Sequence, residues 1–178
     1  MISDTKVVAI GGGTGLSTML KGLKLHTHNI TAVVTVADDG GSSGILRSDL
    51  GMLAPGDVRN CVSALAEVDP VMGELLNFRF KDGSLKGHSL GNLFLAALNE
   101  TSSSFDEAVK KFSHLAGVVG TVYPVTNESV TLSALLEDGR LIEGESHIGV
   151  HHDGPKNGIV KLMVNPEKPK AVDGVIKA

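Results

Sequence analysis

Val7-Val8-Ala9-Ile10-Gly11-Gly12-Gly13-Thr14-Gly15-Leu16 is the stretch on which the fold of this chain turns. Its short apolar run suits a strand buried on both faces of a parallel sheet. Glycines end that run at once, and Leu16, Met19, Leu20 and Leu23 then recur at helical spacing. Ile30 to Val36, rich in β-branched residues, predicts a second strand. Strand, glycine turn, helix and strand make a βαβ unit, whose crossover is expected to be right-handed.

Working outward, Ala37-Asp38-Asp39-Gly40-Gly41-Ser42-Ser43-Gly44 reads as too glycine-rich for regular structure. Pro55-Gly56-Asp57 introduces a helix with Val58, Cys61, Val62 and Leu65 on one face, and Asp69-Pro70 reads as an N-cap with proline at the first helical position. Gly87-His88-Ser89 introduces another, with an apolar face of Leu90, Leu93, Phe94, Ala97 and Leu98. Ser104 and Glu107 form a capping box for a helix through Val109, Phe112 and Leu115 that stops at Gly117. After Gly120 the texture changes. Val130, Leu132 and Ala134 alternate with polar residues, Asp138-Gly139 supplies a turn, and Leu141 to Glu145 returns as a hairpin. Ile159 to Val164 reads as a further strand, and the stretch from Pro169 to Ile176 begins a helical pattern that the chain leaves unfinished, as a fragment would.

Bulk properties narrow the function. The 178 residues suffice for one domain with a real core, and with only 3% aromatics that core must be built from Val, Leu, Ile and Ala. A net charge of −4 argues against non-specific nucleic-acid binding. The single cysteine, Cys61, excludes an internal disulfide and suits a reducing compartment, while its place on an apolar helical face suggests core and not nucleophile. No apolar run reaches the ~20 residues that span a bilayer, and the first residues lack a signal-peptide core, so a cytoplasmic location is expected.

The chemistry concentrates in four glycine-bearing motifs. A strand that stops on Gly11-Gly12-Gly13-Thr14-Gly15 and restarts as a helix lets backbone N–H groups approach an anion, although Leu16 occupies the third glycine position of the dinucleotide fingerprint. The alternative is a tight structural turn. Asp38 and Asp39 fall at the carboxyl end of the second strand, where one of them could accept sugar hydroxyls, hold a metal or act as a base; either could equally cap a turn. Gly40, Gly41, Ser42 and Ser43 offer a second anion nest. Arg59 could clamp a phosphate, or Asp57 could cap its helix and pair with Arg59. Asn60, His88 and Asn92 add polar groups at helix starts. His147, His151 and His152 fit no strong metal signature, so no metal site is assigned.

Taken together, Gly11-Gly12-Gly13-Thr14-Gly15-Leu16, Ala37 to Gly44, Pro55-Gly56-Asp57-Val58-Arg59-Asn60 and Gly87-His88-Ser89-Leu90-Gly91-Asn92-Leu93 resemble the YvcK-like gluconeogenesis-factor group, a relative of CofD, the 2-phospho-L-lactate transferase. The resemblance implies an α/β, Rossmann-like three-layer α-β-α fold with a mostly parallel sheet. Residues 1–178 would be the N-terminal part of one such domain, truncated before a second glycine-rich loop, with the hairpin inserted at about 128–150. It further implies a UDP-sugar ligand, with NAD as the alternative, bound by the glycine turn, Asp38, Asp39, Asp57, Arg59, Asn60, His88 and Asn92. The implied role is a regulator of carbon metabolism and cell shape with no required cofactor. The rival is a transferase using Mg²⁺, with Asp38 and Asp39 as its candidate catalytic residues. Homodimerisation through the flanking helices is left open.

Overall fold

The computed structural model describes residues 4–149 and 157–178. Strand β1 (Val7–Gly11) runs into helix α1 (Gly13–Leu23), which returns through β2 (Ile30–Val34). Five helices follow before the next strand: α2 (Gly41–Leu50), α3 (Pro55–Leu65), α4 (Pro70–Asn77), α5 (Leu90–Glu100) and α6 (Phe105–Leu115). Strand β3 (Thr121–Pro124) then completes a parallel sheet of order β1-β2-β3. Both crossovers step the same way, so equal handedness places their helices on one face.

That face holds the core. Ala9, Ala32, Val34 and Val122 from the strands pack with Leu16 and Leu20 of α1, Val58, Val62 and Leu65 of α3, Leu95 of α5 and Phe112 of α6. Fully burying one such aliphatic side chain stabilises the fold by about 1.5–3 kcal/mol. α3 lies at the centre, with eight of its eleven residues buried. Cys61 is among them, and burial pushes its thiol up to about 12, which accords with a packing role. On the opposite face α8 (Asp173–Ile176) lays Gly174 against the Tyr123 ring, while Val8 and Ile10 stay 44% and 75% exposed.

The antiparallel addition is larger than a hairpin. β4 (Thr131–Leu136) pairs with β5 (Leu141–Glu143) and, on its other edge, with β6 (Ile159–Asn165). A short helix, α7 (Glu145–Gly149), follows β5. Val150, the end of the expected insertion, lies outside the described residues, as do His151 and His152.

Three local expectations are corrected. Gly41 to Gly44 is not irregular: it is the first turn of α2, a helix specified by tertiary contacts and not by propensity. A Cβ on Gly44 would run into the Asp39 carbonyl oxygen, so only glycine lets this turn close onto the preceding loop. In α5 the most buried residues are Gly91, Asn92, Leu95 and Ala96; of the expected face, Leu93 and Leu98 pack partly buried against the core, Phe94 meets Phe112 edge-on, and Ala97 is exposed. Residues 169–172 precede α8 as extended chain, with Ala171 bridged to Thr126. Elsewhere local rules hold: Asp69 accepts from the Val71 N–H at 2.9 Å, and Ser104 accepts from the Glu107 N–H. Among the described residues no helix is long and apolar enough to cross a membrane.

Candidate functional site

Two helices open toward the carboxyl ends of β1 and β2, and both are built the same way. Each has an extended glycine as N-cap, Gly12 for α1 and Gly40 for α2, with no side-chain cap of its own. Each begins with a glycine at positive φ, 27° at Gly13 and 46° at Gly41, a region L side chains rarely adopt. Neither has an acidic residue in its first turn.

Their surroundings differ. At α1 the Asp57 carboxylate, carried by the first turn of α3, accepts from the Gly13 N–H. The approach is close enough that a Cβ on Gly13 would lie 2.7 Å from one Asp57 oxygen. A Cβ on Gly12 would lie 2.6 Å from a Thr35 methyl and 3.1 Å from the other oxygen. The glycine turn therefore receives an internal carboxylate. Burial raises the Asp57 carboxyl above its ordinary value, Asp38 adds to this, and the Gly13 hydrogen bond and Arg59 oppose it. Leu16 is turned into the core, while Thr14 and Gly15 are exposed.

At α2 the neighbours include basic and amide groups beside the two acids Asp38 and Asp57. A cavity of about 250 Å³ is lined by Asp38, Gly40 to Ser43, Gly56, Asp57, Arg59, Asn60, Arg79 and Asn92. Arg59 is only 7% exposed. Its Nε donates to Asn92 Oδ1 at 3.3 Å and its Nη1 to Asn77 Oδ1 at 2.9 Å. Asn92 Nδ2 donates to Ser42 Oγ at 3.1 Å, and Ser42 Oγ bonds His88 Nδ1 at 2.9 Å. Ser43 Oγ accepts from the Gly56 N–H at 3.2 Å. Three of the four sequence motifs are thus tied into one buried network. Among the described residues no carboxylate lies within ion-pair distance of Arg59. Burial pulls its guanidinium below the ordinary value, and the nearby Arg79 pulls it further.

The two candidate acids part company. Asp38 lines the cavity and accepts from the Gly40 N–H at 2.9 Å. Asp39 turns to the antiparallel lobe, where Oδ1 accepts from the Ser146 N–H at 2.8 Å. Burial pushes its carboxyl up, but hydrogen bonds from Ser146 outweigh this and hold it below the ordinary value. His147 Nδ1 bonds the Glu143 carbonyl at 2.8 Å.

Four residues at or behind the site escaped the sequence reading. Asn77 and Arg79 carry no local signal that separates them from other surface polar residues. Glu145 faces the acid cluster, and its carboxyl is raised first by burial and then by Asp38, Asp57 and Asp39. Arg47 donates to the carbonyls of Val36, Ala37 and Asp38, and reaches across to the Val130 carbonyl at 2.9 Å and to Ser129. It ties the acidic loop to the second sheet.

The family model of 2-phospho-L-lactate transferase CofD matches residues 7–178. A protein of Thermoanaerobacterium thermosulfurigenes is 57% identical over 96% of this chain and 53% of its own length. The gluconeogenesis factor of Bacillus subtilis is 46% identical over 97% of this chain and 55% of its own. A crystal structure of a UPF0052-family protein from Bacillus halodurans superposes with a TM-score of 0.90 at 42% identity, covering 97% of this chain and 55% of that one. The chain spans about half the length of these relatives.

Proposed function

The chain belongs to the CofD family, and from that premise we propose that it binds a nucleotide sugar, with a UDP-sugar as the ligand, and acts as a regulatory protein. The observation that carries this reading is Arg59, a buried guanidinium that makes no ion pair among the described residues and lies beside an open cavity at the carboxyl ends of parallel strands. A buried charge is costly unless it is paired; Asp57 acts on this one without an ion pair, and an anionic ligand in the cavity would add a direct partner. In open parallel sheets that end is where ligands bind. Asp38 and Asn60, on the same walls, offer acceptors and donors for sugar hydroxyls. Similarity to a gluconeogenesis factor supports a place in carbon metabolism, and the motif resemblance extends this to cell-wall synthesis and cell shape.

The test is calorimetric titration of the chain with UDP-N-acetylglucosamine, NAD and GDP, with and without Mg²⁺. Mg²⁺-independent binding of the UDP-sugar with the ligand recovered intact is the expected result. Absence of UDP-sugar binding would overturn the reading. A second reading, transfer of a phospholactyl-type group from a nucleotide donor, draws on Asp38 and Asp57, which line the same cavity. Mg²⁺-dependent breakdown of a nucleotide donor would select it, with Asp38 as metal ligand or base.

A further inference from the structure

We propose that Arg59, Arg79 and the opening turn of α2 form a subsite for a phosphate group, and that this end of the crevice, not the glycine turn at α1, takes the ligand's negative charge. The inference rests on the nucleotide reading only for the identity of the ligand; the subsite itself is argued from its own residues.

Three independent features converge. Arg59 is buried and held by two neutral amides, so its orientation is set, and Asp57 acts on its charge without forming an ion pair with it. Arg79 lines the same cavity from the segment between α4 and α5, anchored through Nη1 to the Gly87 carbonyl. Two guanidiniums lining one small cavity repel, and an anion bridging them relieves that repulsion. The first turn of α2 adds N–H groups and the positive end of a ten-residue helix, with no side-chain cap. At α1 the Asp57 carboxylate lies directly against Gly12 and Gly13 and occupies the corresponding place. The cavity therefore carries both signs of charge, Asp38 and Asp57 as well as the two arginines. A ligand would point its phosphates to the arginines and its hydroxyls to the acids.

The experiment titrates inorganic pyrophosphate and, separately, UDP-N-acetylglucosamine into the wild-type chain, Arg79→Gln and Arg59→Lys by calorimetry. Arg79 is exposed, so Arg79→Gln should keep the wild-type melting temperature. It is expected to weaken pyrophosphate binding at least tenfold. Arg59→Lys, which keeps the charge but loses the planar fork, should also weaken it. Undiminished pyrophosphate affinity in Arg79→Gln would overturn the subsite. If the UDP-sugar binds wild type and Arg79→Gln equally, the subsite falls and the nucleotide reading stands. If pyrophosphate binds through Arg79 and no nucleotide binds, the subsite stands and the nucleotide reading falls. If the wild-type chain binds neither probe, both fall.

Discussion

Helix α1 and helix α2 start alike and end up with different neighbours. Both have glycine caps, positive-φ first residues and bare first turns. One is filled by the Asp57 carboxylate; the other has Asp38 on its N-cap N–H but opens on a cavity that two arginines also line. The glycine-rich turn after β1 is the more conspicuous in sequence, yet its N–H at Gly13 is already satisfied from within the chain. A glycine motif at a helix start thus reports that something comes close. Whether that visitor is a ligand or an internal carboxylate depends on residues far away in sequence, here more than forty positions on.

The comparison can be broken most severely at Gly44. Replacing it with Ala drives a methyl into the Asp39 carbonyl; overpacking of this kind costs about 1–3 kcal/mol, and against backbone the upper end is expected. Urea unfolding should show the loss, and pyrophosphate binding should fall with it as the α2 end is displaced. Asn92→Ala comes next. It strips Arg59 Nε of its acceptor and Ser42 Oγ of a donor, costing about 1–3 kcal/mol. Unfolding midpoints measure it, and a ligand that restores more than half of the loss would show that Arg59 is the group being compensated.

Ser104→Ala at the start of α6 is the control. This helix end is capped locally and lies away from the crevice, so about 1 kcal/mol of stability should go with ligand affinity unchanged. The smallest effect belongs to Asp57→Asn, and it sharpens the contrast through pH. The Asp57 carboxyl is raised in the fold, so the folded chain holds its proton longer than the unfolded chain does. Stability from this group therefore falls as pH rises from its ordinary value of 3.8 to the higher folded value, and is flat beyond. Asp57→Asn should remove that component, visible by comparing the two stability profiles above pH 3.8.

The sequence was legible where local chemistry decides. Val7 to Ile10 followed by glycine, Asp69-Pro70 and the Ser104 cap specify their own structure. It was misleading where a distant partner decides. Gly41 to Gly44 has the composition of a loop, but Ser42 and Ser43 are bonded to Asn92, His88 and Gly56, contacts that no local window contains. The apolar face assigned to α5 was off-centre for the same reason: Leu93 and Leu98 do pack against the core, but Asn92 is more deeply buried because Arg59 and Ser42 satisfy it, which a hydrophobicity ranking does not anticipate. Asp57 was rightly placed at a helix start, yet the end it satisfies is that of another helix. Arg79 gave no sign at all, since its significance lies in facing Arg59.

Arg47 sets a limit on how the chain can vary. One planar group there meets three consecutive carbonyls on one side and a second sheet on the other, a fan of acceptors that no other side chain can span. A lysine has three donors on a single nitrogen and would have to choose between the two sides. The position is thus closed to the exchange that surface arginines ordinarily tolerate, and any relative that lacks arginine here must hold its acidic loop to its second sheet by some other means.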